Sequence, residues 1–506
     1  MPTDPTRSLA PLDRHNLTLL ENVRPAQHAT RPSRDEYHAI VLGAGAAGLV
    51  SASIVAGLGG KVLLVERALL GGDCLNVGCV PSKALIRSAR AAAAVRAAPG
   101  FGIGPQEALV DGAAVLERLR ERRARISPAD SLAGLEGKGV EVVFGQARFT
   151  GADRVEVNGH TARFRRAFIA TGGRPAIPPI PGLDTVRFFT NENLFNRESL
   201  PGHLLVAGGG PIGCELAQSL ALLGCRVTLV EQAERLLIRD DPEGALAVQQ
   251  ALEAAGVDVR LATRLVRLEG RGECGQAWLE HTAGGEELGF DALLLATGRQ
   301  PNTEELDLEH AGILTGSRGQ VLVNDFLRTA NRRVLALGDV IGGPQFTHAA
   351  DAMARAAVRN AFFFGRVRRQ QLLIPWCTYT TPELAGVGPD LTTALAAGER
   401  AAELVVHFRD LDRAVLDSEE NGFLKVVHDA RGRLLGARIL GPHAGELLAP
   451  VIACISGGVR LGQLSGMVFP YPTVGEALRK LGDQYQRTRL SPGLAGLLGR
   501  VLRSRR

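Results

Sequence analysis

The sequence predicts an α/β chain of two parallel-sheet domains built on one repeated unit, followed by a smaller α+β domain. Three observations predict it. A strand, a glycine turn and a helix follow one another twice, at His38-Ala-Ile-Val-Leu-Gly-Ala-Gly-Ala-Ala-Gly48 and at His203-Leu-Leu-Val-Ala-Gly-Gly-Gly-Pro-Ile-Gly213. Each unit leads to a second strand ending in an acid, Glu66 or Glu231, 23 positions after the first glycine of its turn, Gly43 or Gly208. Beyond about Pro375 the pattern changes to alternating strands, Leu424–Val427 and Leu434–Ile439, and then to a helical pattern over Leu447–Ser456.

Length and composition exclude several classes. A chain of 506 residues is too long for one hydrophobic core, and 45% hydrophobic with 22% charged residues describes a globular protein. A net charge of +5 over 58 basic and 53 acidic side chains gives no warrant for nucleic-acid binding. No apolar run reaches the roughly 18 residues that span a bilayer, and the N-terminus lacks a secretory signal, so a cytoplasmic location is expected. Seven cysteines are too few for a disulfide scaffold and cannot all pair internally.

Residues 1–36, with Pro2, Pro5, Pro11, Pro25 and Pro32, show only a short helical pattern over Asn16–Val23 and are expected to form an arm on the outside. The first repeat then opens a domain over residues 37–180, and the second fills 181–296. A looser repeat closes each: Phe168-Ile-Ala-Thr-Gly-Gly-Arg-Pro175 and Leu294-Leu-Ala-Thr-Gly-Arg-Gln-Pro301 both end an apolar strand in Ala-Thr-Gly. Residues 297–370 return to the first domain, 371–488 form the α+β domain, and 489–506 are a basic tail.

The glycines have distinct tasks. Gly43 and Gly208 permit the tight strand-to-helix turn, Gly45 and Gly210 let backbone approach a pyrophosphate, and Gly48 and Gly213 let helix pack on strand. The helix N-terminus then faces the phosphates. Two Rossmann-like dinucleotide sites follow, with Glu66 and Glu231 placed for ribose hydroxyls, although either acid could simply be a solvated strand end. At the second site the acid disfavours a 2′-phosphate, which favours NAD over NADP, while Arg226 and Arg235 lie close enough in sequence to offer a phosphate partner.

The segment Gly71-Gly-Asp-Cys-Leu-Asn-Val-Gly-Cys-Val-Pro-Ser-Lys-Ala-Leu85 places Cys74 and Cys79 before a long alanine-rich helix, whose dipole and unpaired amides favour a thiolate. A structural disulfide or two packed thiols would use the same residues. Half of a metal site fits poorly, because the spacing does not match zinc ligation. Cys214, Cys225, Cys274, Cys377 and Cys454 are singletons expected to be small buried residues.

Over about residues 36–488 the chain resembles the pyridine nucleotide-disulfide oxidoreductase family, which includes glutathione reductase, dihydrolipoamide dehydrogenase and mercuric reductase. The resemblance implies that the first glycine loop binds FAD, together with Ala147, Thr171 and Gly172, and that the second binds NAD(P)H, together with Gly298. It implies that Asp339 bonds the ribityl chain, that Gln345, Phe346, Thr347 and His348 lie beside the flavin ring, and that the last domain makes a homodimer. Cys79 becomes the flavin-proximal thiol and Cys74 the interchange thiol. Lys83 approaches the flavin and pairs with Glu215, although the residues alone read as ordinary helix-surface charges.

One departure bears on the substrate. Disulfide reductases of this family carry a histidine, oriented by a glutamate five positions on, as acid–base for the interchange thiol. This chain reads Phe469-Pro-Tyr-Pro-Thr-Val-Gly-Glu476, with Tyr471 in the histidine's place and Glu476 in the glutamate's. A phenol, with a pKa of about 10 against about 6.5 for imidazole, is a poor proton acceptor at neutral pH. A soft metal ion needs thiolate ligands more than a proton shuttle, and the Phe-Pro-Tyr run is similar to mercuric reductase. No permanent metal site is expected, only a substrate ion at Cys74 and Cys79. Against that reading, no cysteine follows Cys454 and none lies in the first 36 residues, where mercuric reductases commonly carry further thiols.

A disulfide or dihydrolipoamide oxidoreductase with a replaced base is the alternative within the family; a flavin-bound redox sensor or scaffold is the alternative outside catalysis, and Tyr471 could be a packing residue. In the tail, Leu494, Leu497, Leu498, Val501 and Leu502 fall at helical spacing beside Arg500, Arg503, Arg505 and Arg506. Such a helix docks on its own protein or meets a membrane surface or partner.

Overall fold

A computed structural model describes residues 9–104, 107–272, 274–281 and 284–505. Pro2 and Pro5 of the expected arm and Arg506 of the tail lie outside the described residues. Contacts divide the chain into two units: Met1–Leu236 with Leu252–Leu372, and Leu237–Ala251 with Leu373–Arg506.

In the first unit, strand Glu36–Leu42 lies between two parallel neighbours, Val62–Glu66 and His160–Ile169. Val140–Phe144 extends the sheet beyond Val62–Glu66, and Val334–Ala336 adds in parallel to His160–Ile169. These strands read as continuous apolar runs because both faces of a parallel sheet are covered; Ala39, Ile40, Val41, Leu63 and Leu64 are fully buried. The second repeat builds its own parallel sheet in the order Val257–Arg260, Arg226–Val230, His203–Ala207, Ala292–Leu295 and Phe188–Phe189. A three-stranded antiparallel sheet, Arg264–Arg271, Cys274–His281 and Gly284–Phe290, completes this part.

The glycine turns repeat almost atom for atom. Gly43 has φ +97°, and a Cβ there would fall 2.5 Å from the Ala170 carbonyl oxygen; at Gly208, φ +112°, it would fall 2.5 Å from that of Ala296. A Cβ on Gly48 would lie 1.8 Å from the Gly43 oxygen, and one on Gly213 1.9 Å from the Gly208 oxygen. No side chain fits at either helix position, which is how strand and helix come into contact. The two Ala-Thr-Gly segments also meet, since Gly173–Pro175 and Arg299–Pro301 pair as short antiparallel strands.

Within the N-terminal arm, one face of the helix is more deeply buried than expected. Its helix, Arg14–Val23, is capped by Asp13 and buries Asn16, Leu19 and Val23 completely. The fully buried Arg123 donates to Asn16 Oδ1 at 2.7 Å and to the Asn76 carbonyl at 2.6 Å, while Arg120 pairs with Asp13 at 2.5 Å. The helix is therefore part of the core beneath the cysteine segment, held there by two arginines whose burial requires those acceptors.

The second unit is a five-stranded antiparallel sheet in the order Trp376–Thr378, Glu383–Val387, Leu434–Gly441, Phe423–Asp429 and Ala401–His407. Helices Ala444–Gly457 and Ala477–Arg489 share its core through Leu448, Val451, Leu478 and Leu481. Lys425, on a central strand, is nearly buried and pairs with Asp241 at 3.0 Å and Glu243 at 2.7 Å, which ties the Leu237–Ala251 segment into this unit. The tail forms a helix, Pro492–Ser504, capped by Ser491. Its apolar face is not covered by the described residues of this chain, with Leu494 45% and Leu502 72% exposed.

Candidate active site

The cysteines stand on separate elements. Cys74 lies in a short helix, Gly72–Asn76, and Cys79 is the first residue of the long helix Cys79–Ala97, where the orphan amides are. The preceding Gly-Gly is required by a close approach: Gly72 has φ +54°, and a Cβ on it would fall 2.6 Å from the Gly45 Cα. The cysteine loop thus lies directly on the first glycine loop. Asn76 Nδ2 pins the loop by donating to the carbonyls of Leu70 and Gly72, both at 2.9 Å, and Asn191 Nδ2 donates to the Val77 carbonyl at 3.1 Å.

The two sulfurs differ electrostatically. A hydrogen bond from Cys74, the Thr347 hydroxyl 3.4 Å from Sγ and the Lys83 charge hold the Cys79 thiol down to about 6, against the opposing effect of burial. The same hydrogen bond, burial and the Cys79 charge push Cys74 upward. These surroundings favour negative charge on Cys79 over Cys74. Lys83 Nζ bonds Glu215 Oε2 at 2.8 Å and joins this helix to Pro211–Leu222, the helix of the second glycine loop; Glu215 is buried.

Around the first loop a cleft of about 320 Å³ is lined by Gly43, Glu66, Ala147 and Thr171 among others. Glu66 Oε2 accepts from the Ala44 amide and Oε1 from the Ala68 amide, both at 2.7 Å. Glu231 repeats this on the Gly209 amide at 2.6 Å and the Ala233 amide at 2.8 Å. Neither acid is a solvated strand end: each braces its own glycine turn and keeps lone pairs for a ribose. Gly45 and Gly210 begin their helices with no side-chain cap, leaving those amides for an external anion. At Gly172, φ +66°, and Gly298, φ +119°, a Cβ would meet no described atom within 4 Å, so the space beside each is open. These features fit FAD at the first site and a nicotinamide dinucleotide at the second.

Asp339 lies in the turn Gly338–Ile341, and burial pushes its carboxyl up. Thr347 opens helix Thr347–Phe362 after Gln345, and the Phe346 and His348 rings stack at 5.3 Å. Arg299, Asp73 and Glu192 are not singled out by the sequence, yet Arg299 pairs with both Asp73 and Asp339. The available signal is the arginine that follows each Ala-Thr-Gly segment, Arg174 and Arg299.

In the second unit, Tyr471 is 71% exposed and donates to Asp412 Oδ2 at 2.6 Å. That carboxylate pushes the phenol above its ordinary range. Glu476 pairs with Arg479 at 2.5 Å and, among the described residues, makes no hydrogen bond to Tyr471. The tyrosine is a committed donor. Of the singleton cysteines, Cys214, Cys225 and Cys454 are buried as expected, Cys377 is half-buried, and Cys274 is exposed, contrary to expectation, because its strand is half-solvated.

Two dinucleotide loops and a cysteine pair with one stabilised thiolate define a class: enzymes that move electrons between a pyridine nucleotide, a flavin and a dithiol. The chain belongs to the pyridine nucleotide-disulphide oxidoreductase family, whose sequence profile matches residues 37–354, with the family's dimerisation domain matching 374–481. It is 33% identical over 445 residues to a mercuric reductase of Bacillus cereus, covering 88% of this chain and 70% of the relative. It is 36% identical over 460 residues to a dihydrolipoyl dehydrogenase of Thermus scotoductus, covering 88% and 97%. Among solved structures it is similar to the copper(II) complex of a mutant HOCl-induced flavoprotein disulfide reductase from Escherichia coli, with TM-score 0.79, 29% identity, and 88% and 99% of the two chains covered. FAD and a pyridine nucleotide are the cofactors of this family.

Proposed function

We propose that the protein is a cytoplasmic homodimeric reductase of thiophilic metal ions, similar to mercuric reductase, that draws electrons from NADH in preference to NADPH. Bound FAD would relay two electrons from the nicotinamide hydride to the cysteine pair. Residues 37–180 and 297–370 would hold FAD, 181–296 the nicotinamide cofactor, and 371–488 the dimer contact. Asp339, Gln345, Phe346, Thr347 and His348 would line the flavin. Reduction breaks the Cys74–Cys79 bond; the electron pair and one proton leave Cys79 as thiolate and Cys74 as thiol. Lys83, oriented by Glu215, places positive charge beside this reduced state.

The observation that carries the metal reading is Tyr471, exposed and hydrogen-bonded to Asp412. Releasing thiols from a disulfide needs a proton acceptor and donor at Cys74, and a phenol held above its ordinary range accepts poorly. A thiophilic cation needs instead that the thiols ionise and ligate. The mercuric reductase relatives support the same substrate class, and the similar Escherichia coli flavoprotein disulfide reductase forms a copper(II) complex.

The dihydrolipoyl dehydrogenase relative supports a second reading, a dithiol–disulfide oxidoreductase with an altered base. The uncovered tail helix, with Arg500, Arg503 and Arg505, would offer a peripheral contact to a membrane or partner. Anaerobic turnover with NADH and either mercuric ion, cupric ion, lipoamide or glutathione disulfide separates the readings, alongside Tyr471→His. Metal specialisation predicts metal-ion turnover in the native enzyme and a trade of that activity for disulfide turnover in the variant. A large gain in disulfide turnover with metal-ion reduction intact would refute it.

A further inference from the structure

One arginine joins the loop of the interchange thiol to the aspartate on the flavin side. The Arg299 side chain is only 14% exposed. Its Nη2 donates to the carboxylate of Asp73, the residue before Cys74, and to the Gly173 carbonyl at 2.7 Å. Its Nε lies 3.2 Å from Asp339 Oδ2, an ion pair that lacks hydrogen-bond geometry. The backbone beneath it is fixed by the pairing of Arg299 with Pro175 in the short antiparallel ladder. Glu192, on the short helix Asn191–Leu194, is within electrostatic reach of this group: burial and then the Asp73 charge push its carboxyl up. One guanidinium thus stands among three carboxylates drawn from three distant segments. A planar guanidinium can donate to Asp73 and the Gly173 carbonyl at set angles while its charge reaches Asp339, which a lysine ammonium cannot reproduce.

We propose that Arg299 is a positioning residue that fixes the loop carrying Cys74 in register with the flavin-side Asp339 and shares its charge between the two. The inference rests on the assignment of Cys74 as interchange thiol and Asp339 as the flavin-facing acid. It acts through both neighbours. Through Asp73 it sets where the Cys74 sulfur meets the acceptor, and through Asp339 it keeps a cation near the flavin, where positive charge favours added electrons. Asp73 is what makes the tie specific, because its carboxylate is the one that accepts a hydrogen bond from the guanidinium.

The test uses the FAD-loaded enzyme and three variants, Arg299→Met, Arg299→Lys and Asp73→Asn. Two quantities are read: the rate at which the NADH-reduced enzyme passes electrons to mercuric ion, and the midpoint potential of the flavin. Arg299→Met is expected to slow electron transfer to the acceptor about tenfold and to move the potential more negative. Arg299→Lys restores the potential but not the rate, since it keeps charge without the fork. Asp73→Asn slows transfer and moves the potential less negative, opposite in direction to Arg299→Met, because it removes a carboxylate beside the shared cation.

A wild-type rate and potential in Arg299→Met with full FAD content would overturn the proposal, as would variants that lose thermal stability alone. If Arg299→Met fails to hold FAD, Asp73→Asn decides the matter, and an unchanged transfer rate there counts against the tie. Failure of the underlying assignment has a different signature: Cys74→Ser would then leave transfer to mercuric ion intact, and both conclusions would fall together.

Discussion

Cys79 and Cys74 are chemically unequal because one sits at a helix start within reach of Thr347 and Lys83 while the other donates to it. The ordinary thiol value is lowered at Cys79, so the thiolate persists from the usual range down to about 6 and is lost as pH falls through that value. In the two-electron-reduced enzyme, the thiolate–flavin charge-transfer absorption is expected to be flat across neutral pH and to fade below about 6. A fade centred in the ordinary thiol range would show that the stabilising contacts do not act. Tyr471 belongs to the same level of description. The sequence exposes the replacement of a histidine, but not that the phenol is already donating to Asp412, 59 positions away. Arg299 is hidden for the same reason, since its partner Asp73 lies 226 positions earlier and only the folded chain brings them together.

Elements are legible where local spacing dictates geometry. The strand Arg226–Val230 is readable to the residue, and the glycine turns announce themselves because no other residue fits beneath the helix. Gly213→Ala tests that packing. Its Cβ would lie 1.9 Å from the Gly208 oxygen, so the turn must shift, at a cost of about 1–3 kcal/mol. Weakened NADH binding with FAD content retained is expected, measured by titration and by visible absorbance. Equal loss of both cofactors would mean that the two repeats are not independent sites. The N-terminal helix escapes a reading of the sequence because its burial depends on Arg120 and Arg123, more than 100 positions later. Proline content and polarity describe its composition and do not reveal that one face of its helix is buried.

Across the whole molecule, repeated binding units and a dimerisation domain are what the sequence discloses best, because each is written in contiguous motifs. Cofactor choice is finer. Glu231 braces the second glycine turn through Gly209 and Ala233, and a carboxylate there would repel a 2′-phosphate. A higher kcat/KM for NADH than for NADPH is expected, and Glu231→Gln should narrow the ratio by raising KM for NADH. Steady-state kinetics with both nucleotides checks this, and an unchanged ratio would remove Glu231 from cofactor selection.

The most direct measurement is anaerobic NADH oxidation driven by mercuric ion or by glutathione disulfide, in the native enzyme and in Cys74→Ser/Cys79→Ser with FAD bound. Turnover with mercuric ion well above that with the disulfide, abolished in the double variant, is the expected result. Faster turnover with glutathione disulfide, or mercuric-ion reduction that survives loss of both thiols, would contradict it.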